Sequence, residues 1–427
     1  MKIFSGNVIN PQGGTKVTYL PEGAICTFRG RILDVGDKKT LIERYPYAHL
    51  QDYEDSIMIP GLIDLHTHIP QFPAMGIGSG ALLDWLKNYI YPMEKQFEEK
   101  SFADKYTRIF FRKVLEAGTT VIVAYSSLHR QAADIAFRVA EESGIKAFIG
   151  KTMMDREDDN DYYNSVEDNI EESLSLAEKW HKKDNGRLNY ILSPRYAGSC
   201  TGDILKKSAE ISKSEDLLLQ THLAENSMEV ELIRNLFPEN SNYTDVYREA
   251  GILNENSIFA HGIHLSDDEL GMISDSGANI VHCPNSNRFL QSGVMPLVKM
   301  KGMDIPVGLG TDIAGGYSLS VLEEMKEAIE ISKIKNMMTS GDENFPPISP
   351  EIALNMATID AAKILKIDST TGNFQQGKDA DFVILENQLS DMPESLQNPE
   401  FLLRKAIYGK PKVLRTIVRE KEIYSIF

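Results

Sequence analysis

The chain has 427 residues, enough for one large α/β domain with a smaller module or for two to three ordinary domains. Its formal net charge of −17 at pH 7 argues against a nucleic-acid partner, whose phosphate backbone calls for a basic face. Cys26, Cys200 and Cys283 are odd in number and lack CxxC spacing, which excludes a disulfide framework or a cysteine zinc site and fits a reducing compartment.

In chain order, the first 55 or so residues carry short β-favouring runs: Lys2-Ile3-Phe4, 24–28 and 31–35. Turn signals at Pro11-Gln12-Gly13-Gly14, Pro21-Glu22-Gly23 and Gly36-Asp37 separate them. No secretory leader pattern follows Met1, and no apolar run approaches the length of a membrane span. The expectation is a cytoplasmic protein with no membrane partner.

From Ile57 the pattern changes to strands alternating with helical stretches. Eight strands are expected, at 57–65, 120–124, 147–153, 189–193, 217–222, 257–260, 279–282 and 306–310. Helix-like stretches lie between most of them, at 104–117, 130–143, 165–180, 202–213, 227–236 and 267–276, with another at 319–334 after the last strand. Mostly apolar strands with intervening helices predict an α/β fold of the (β/α)8 TIM type, a parallel barrel covered on its outside. A long insertion, 72–97, carries Leu82-Leu83-Asp84-Trp85-Leu86 and reads as a lid, a pocket wall or a simple cover. The acidic run 155–161 reads as a solvated loop. The end of the chain is β-like again at 381–385 and 413–419. The expected division is a small β-sandwich domain from both termini, 1–58 with 371–427, and a barrel over 59–370.

Four of the barrel strands end in polar residues. His66 and His68 close the first, two apart, so that both imidazoles face one way. His222 closes the fifth with Glu225 three residues on, His261 the sixth, and Asp312 follows the eighth. In a parallel barrel all strand C-termini share one rim, so these side chains are expected to meet at one mouth. Neutral imidazoles with a carboxylate suit zinc or ferrous iron, and zinc lowers the pKa of bound water to about 7. Asp312 is placed to orient such a water, Glu225 to shuttle a proton, and His261 to serve as a fifth ligand or a nearby donor, the latter preferred. Gly308-Leu309-Gly310 lacks the lysine of a phosphate loop, and Cys283 has no partner that would make it a nucleophile.

The motifs PGLIDLHTHIPQ (60–71), LLDWLKNYIYPMEKQF (82–97), SPRYAGSC (193–200), QTHLAEN (220–226), FAHGIHLS (259–266), HCPNSN (282–287) and GLGTDIAGGYS (308–318) resemble the amidohydrolase superfamily and, within it, the guanine deaminase family. The resemblance covers most of the chain. It implies one zinc or iron held by His66, His68, His222 and Asp312, and hydrolysis of guanine to xanthine and ammonia. It further implies a purine base held by Gln71 and Arg195 beside Tyr196, which stands where the family pattern has Phe. Glu225 would protonate the ring near N3, and a homodimer is expected. Two other readings stay open: another aminated heterocycle such as 8-oxoguanine, or a non-catalytic scaffold of the same fold. The other zinc deaminase signature, H-x-E with P-C-x-x-C, is absent.

Overall fold

The computed structural model describes every residue except 79, 157–160, 340–345, 388–397 and 427. Most of the acidic run 155–161 therefore lies outside the described residues. Among the described residues no helix is long and apolar enough to cross a membrane.

The N-terminal segment forms strands β1 (Lys2–Gly13), β2 (Lys16–Phe28), β3 (Arg31–Asp37) and β4 (His49–Pro60). The turn expected at Pro21-Glu22-Gly23 is instead a bulge within β2. Gly23 pairs with Gly6 and Leu20 with Val8, which leaves the two residues between them without room in the ladder. Glu22 takes φ 50°, the local kink that lets a proline interrupt a strand without ending it.

The expected strand 57–65 is likewise two strands. β4 ends at Pro60 in the terminal sheet, and β5 (Leu62–His68) opens the barrel. Gly61 joins them where a Cβ would come within 2.0 Å of the Thr120 hydroxyl, so no other residue fits that crossing.

The barrel continues through β6 (Thr119–Tyr125), β7 (Lys146–Gly150), β8 (Thr152–Met153), β9 (Leu188–Tyr190) and β10 (Ser193–Pro194). It is completed by β11 (Leu219–Leu223), β12 (Ser257–His261), β13 (Asn279–His282) and β14 (Val307–Leu309). β7 with β8, and β9 with β10, are the halves of two expected strands, so the eight positions stand. Neighbours are parallel from β5 to β9 and from β11 to β14. A bridge between Leu192 and Leu219 links the two arcs. Asp312 N donates to His66 O at 2.8 Å, closing the last strand onto the first.

Two apolar layers follow from the period-two alternation. Ile63, Leu65, Val121, Val123, Ile191 and Val281 fill the interior, whereas Leu62, Ile122 and Ala124 face the surrounding helices. The helix Arg130–Ser143 shows how those helices are made. Ala132, Ala133, Ala136, Phe137 and Ala140 recur at helical spacing on its buried side, and Gly144 at φ 80° ends it. Gly308 and Gly310 lie where a Cβ would strike Leu65 at 2.2 Å or His66 at 2.7 Å, so close packing of β14 on β5 accounts for both.

Strands β15 (Phe382–Leu385), β16 (Val413–Val418) and β17 (Lys421–Ser425) return to the first four. Together they form one seven-stranded sheet in the order β17-β16-β15-β4-β1-β2-β3. The sheet curls until its β3 edge bonds the segment leading into β15: Ile32 N donates to Lys378 O, and Ala380 N to Gly30 O. Phe4, Val8, Ile25, Ile32, Phe374, Phe382 and Ile417 share the core enclosed by that curl. Lys146, at the start of β7, ties the sheet to the barrel. Its buried ammonium lies 2.8 Å from Asp379 and 2.5 Å from Asp381.

Candidate active site

A bulge in β5 makes the histidine pair possible. Asp64 pairs with Ile122 and Thr67 with Ala124, so both Leu65 and His66 stand opposite Val123. The extra residue flips the parity of the strand. Ile63 and Leu65 fill the interior below, and His66 and His68 then both face inward at the mouth. His68 stacks on Tyr125, with ring centroids 4.7 Å apart.

At the mouth, His68 Nε2 lies 3.2 Å from His66 Nε2 and 3.2 Å from His222 Nε2. Asp312 Oδ1 lies 3.3 Å from both His66 Nε2 and His68 Nε2. Donor atoms of His66, His222, His261 and Asp312 all fall within 4.8 Å of one another. His261 Nε2 is 3.5 Å from Glu225 Oε2 and 3.8 Å from Asp312 Oδ2. The structure thus brings Glu225, Asp312 and all four histidines to one point.

Two of the rings are set from outside. His222 Nδ1 donates to the carbonyl of Arg195 at 2.7 Å, which leaves Nε2 as a lone pair aimed at the cluster. His261 Nδ1 donates to the Asn287 side-chain oxygen at 2.9 Å, and its buried Nε2 has no hydrogen-bond partner among the described residues. In that state the His261 ring offers a lone pair to the cluster, and it donates a proton there only when charged. Asp64, buried beneath, accepts from His66 N at 3.2 Å, Thr311 N at 3.0 Å and Thr311 Oγ1 at 2.6 Å. It so fixes the two strand ends that carry His66 and Asp312. Ala224, His261 and Asp312 adopt φ of 47°, 75° and 46°, a left-handed backbone that non-glycine residues take at a cost and that clusters at functional sites.

The electrostatics divide the carboxyl groups. Burial alone would raise Asp312, but donors from His66 and His68 outweigh it and hold this carboxyl well below the usual range. Burial pushes Glu225 well above the usual range, helped by the charges of Asp312 and Glu229. Burial also lowers His68 to about 4 and drives His222 well below an ordinary imidazole. His68 and His222 hold protons weakly, so their ring nitrogens, converging with that of His66 on the Asp312 carboxylate, are open to a cation. The donor set therefore fits a divalent metal ion of the zinc or ferrous type.

Beside the cluster lies a space of about 390 Å³, mouth included, lined by Gln71, Trp85, Arg195, Tyr196, Glu225 and Leu290 among others. The insertion is thus a pocket wall: Leu82, Trp85 and Leu86 line the space, and Trp85 Nε1 donates to Ile77 O at 3.0 Å. Gln71 and Arg195 are joined through Glu94, a buried residue on the short helix Tyr91–Lys95. Gln71 Nε2 donates to Glu94 Oε1 at 2.9 Å, and Arg195 Nη1 to Glu94 Oε2 at 2.8 Å. Tyr196 lines the same space, and Gly198 packs beneath its ring where a Cβ would come within 2.3 Å.

Sequence reasoning missed Asp64, Glu94, Glu229 and Asn287. Glu229 accepts from the backbone of Glu225 at 2.8 Å and Asn226 at 3.2 Å and from the Tyr243 hydroxyl at 2.7 Å, so it anchors the residue beside the cluster. The pattern Asn226-x-x-Glu229 is a capping box legible in the sequence. Glu94 and Asp64 had no such signal, because Arg195 and Thr311, the partners that tie them into the site, lie 101 and 247 residues away.

A parallel barrel whose mouth gathers histidines and one carboxylate of lowered pKa, with a second carboxyl of raised pKa beside them, defines the barrel hydrolases that work at a metal centre. The amidohydrolase family model matches residues 57–418. A guanine deaminase of Rattus norvegicus is 34% identical over 81% of this chain and 76% of its own length. One from Escherichia coli strain K12 is 29% identical over 98% of this chain and 92% of its own. A crystal structure of guanine deaminase from C. acetobutylicum with bound guanine superposes with a TM-score of 0.93 at 29% identity, covering 99% of this chain and all of that one. The chain belongs to the amidohydrolase family and, within it, to the guanine deaminases.

Proposed function

We propose that this protein hydrolyses guanine to xanthine and ammonia. The observation that carries the reading is the meeting, in one cavity, of the histidine–aspartate cluster, the protonated Glu225 and the Gln71–Glu94–Arg195 wall. The kinship with guanine deaminases, one of them solved with guanine bound, supports the choice of base.

His66, His68, His222 and Asp312 would hold the metal ion, with His261 offering a further lone pair at the same point. Zinc suits this set, and ferrous iron is the alternative. A divalent ion there supplies a water whose pKa falls towards neutrality. Asp312 stays ionised and accepts a proton from the attacking water. Glu225, held protonated by burial and its acidic neighbours, gives its proton to ring N3 as the water oxygen bonds to C2. Glu225, now a carboxylate, takes the proton of the new C2 hydroxyl and hands it to the exocyclic amine; the C2–N bond breaks, ammonia leaves, the ring keeps the oxygen as a carbonyl, and the proton on Asp312 returns to Glu225. Gln71 and Arg195 orient the base, Tyr196 borders it, and Trp85 and Leu86 exclude bulk water. We assign the protein to the cytoplasm as a homodimer acting on a free base.

Ammonia release measured across guanine, adenine, cytosine and 8-oxoguanine tests the reading. Guanine is expected to be turned over best, and inactivity on guanine would overturn it.

A further inference from the structure

The geometry of the cavity wall points to a residue that sets base selectivity without belonging to the metal cluster. A glutamine amide is ambivalent: it offers a carbonyl acceptor at one end and two donors at the other. Which end faces a bound base depends on what holds the group from behind. Gln71 is held at both ends. Its Oε1 accepts from Ala314 N at 3.1 Å, and its Nε2 donates to Glu94 Oε1 at 2.9 Å. A backbone N–H accepts nothing and a carboxylate donates nothing, so only this orientation satisfies both. The second N–H of Nε2 and the second lone pair of Oε1 are then what the amide can offer a ligand, each on a fixed side. The second oxygen of Glu94 takes Arg195 Nη1 at 2.8 Å, while the Tyr91 ring lies 5.0 Å from the guanidinium carbon. Arginine has donors only.

We infer that Glu94 is a positioning residue that turns the Gln71 N–H and the Arg195 guanidinium, both donors, towards the C6 substituent of the base, so that the cavity takes 6-oxopurines and refuses 6-aminopurines. Glu94 stays behind Gln71 and Arg195 and acts through both. The inference rests on the reading of the substrate as guanine. Buried donors aimed at one position discriminate strongly, because an amine at C6 meets them with a donor of its own and leaves both sides unpaired. Glu94 is wholly buried, and its helix belongs to the insertion after the first barrel strand, so the same segment closes the cavity and sets its polarity.

The test compares guanine with 2,6-diaminopurine, which keeps the amine at C2 and replaces the oxygen at C6 with an amine. Wild-type enzyme is expected to favour guanine in kcat/KM by at least about 100-fold. In Glu94→Gln the new amide turns its carbonyl to Arg195 and its NH2 to Gln71, and the Gln71 amide loses its fixed sense. The preference is expected to shrink at least about tenfold, chiefly through a higher KM for guanine, with metal content unchanged. Glu94→Asp, which keeps the carboxylate, should restore much of it. In a Gln71→Ala background Glu94→Gln should change the preference far less, since part of its effect runs through that amide. A folded Glu94→Gln enzyme with the wild-type preference would overturn this inference alone. So would a wild-type enzyme that deaminates both bases equally well, a measurement that needs no variant to fold. Wild-type inactivity on guanine would overturn the substrate reading and this inference with it.

Discussion

His222 Nδ1 lies 2.7 Å from the carbonyl oxygen of Arg195, so the residue whose side chain walls the base cavity also orients a ring of the metal cluster. The two ends of the site are thereby one unit: displacing the backbone at Arg195 turns the imidazole at His222. The strand pair β10 and β11 carries this coupling, with His222 N also donating to Arg195 O at 3.1 Å.

Glu225 is the proton carrier in this account, and it takes no part in the metal-holding set. Glu225→Gln is expected to lower kcat by about 10³-fold while metal content stays at the wild-type level. Metal analysis and steady-state rates on the same sample decide it. A rate within tenfold of wild type would remove Glu225 from its role.

Asp64 accepts three hydrogen bonds that join the ends of the first and last barrel strands. Asp64→Ala leaves those donors buried and unpaired, at a cost of about 1–3 kcal/mol each where no water enters. Metal affinity should fall about 10–100-fold, as for other groups that orient ligands from behind. Competition with a chelator measures it, and an unchanged midpoint would contradict it.

Burial holds His68 at about 4, below the 6.5 of an ordinary imidazole. Between those values the unfolded chain binds more protons than the folded one, so stability is lost as pH falls from 6.5 towards 4. The metal-free protein should lose about 2 kcal/mol from this residue between pH 7 and pH 5. Denaturation of metal-free wild type and His68→Asn at both pH values isolates the effect. Equal pH dependence in the two proteins would contradict it.

The Lys146 ammonium, buried between Asp379 and Asp381, clamps the terminal sheet to the barrel. Lys146→Ala leaves Asp381 a buried charge held only by Thr371 Oγ1 and Arg419 N, while Asp379 keeps Arg31 and Arg419, and should destabilise the protein by about 3–5 kcal/mol. A thermal midpoint close to wild type would contradict the clamp.

Much of the barrel was legible because its strands and helices differ in period, and because strand ends carrying His222, His261 and Asp312 recur after apolar runs. What was not legible depends on contacts between distant parts of the chain. The run 57–65 counts as one strand even though Pro60-Gly61 breaks it; what nothing local reveals is that its halves join different sheets, with Thr120 crowding Gly61 at the crossing. The bulge at Leu65 and His66 is invisible for the same reason: alternation in the sequence counts residues and not ladder partners. Pro21-Glu22-Gly23 has turn chemistry that the register of β1 overrides. Glu94 reads as one acid on an amphipathic segment until Gln71 and Arg195 are seen on either side of it.

The central claim is that the histidine–aspartate cluster holds an ion without which guanine is not hydrolysed. The direct measurement is xanthine formation from guanine by the as-purified enzyme, after chelation and dialysis, and after zinc is returned. The account predicts turnover, its loss with the metal, and its recovery in proportion to zinc bound at one ion per chain. Undiminished xanthine formation by a preparation shown to be metal-free would contradict it.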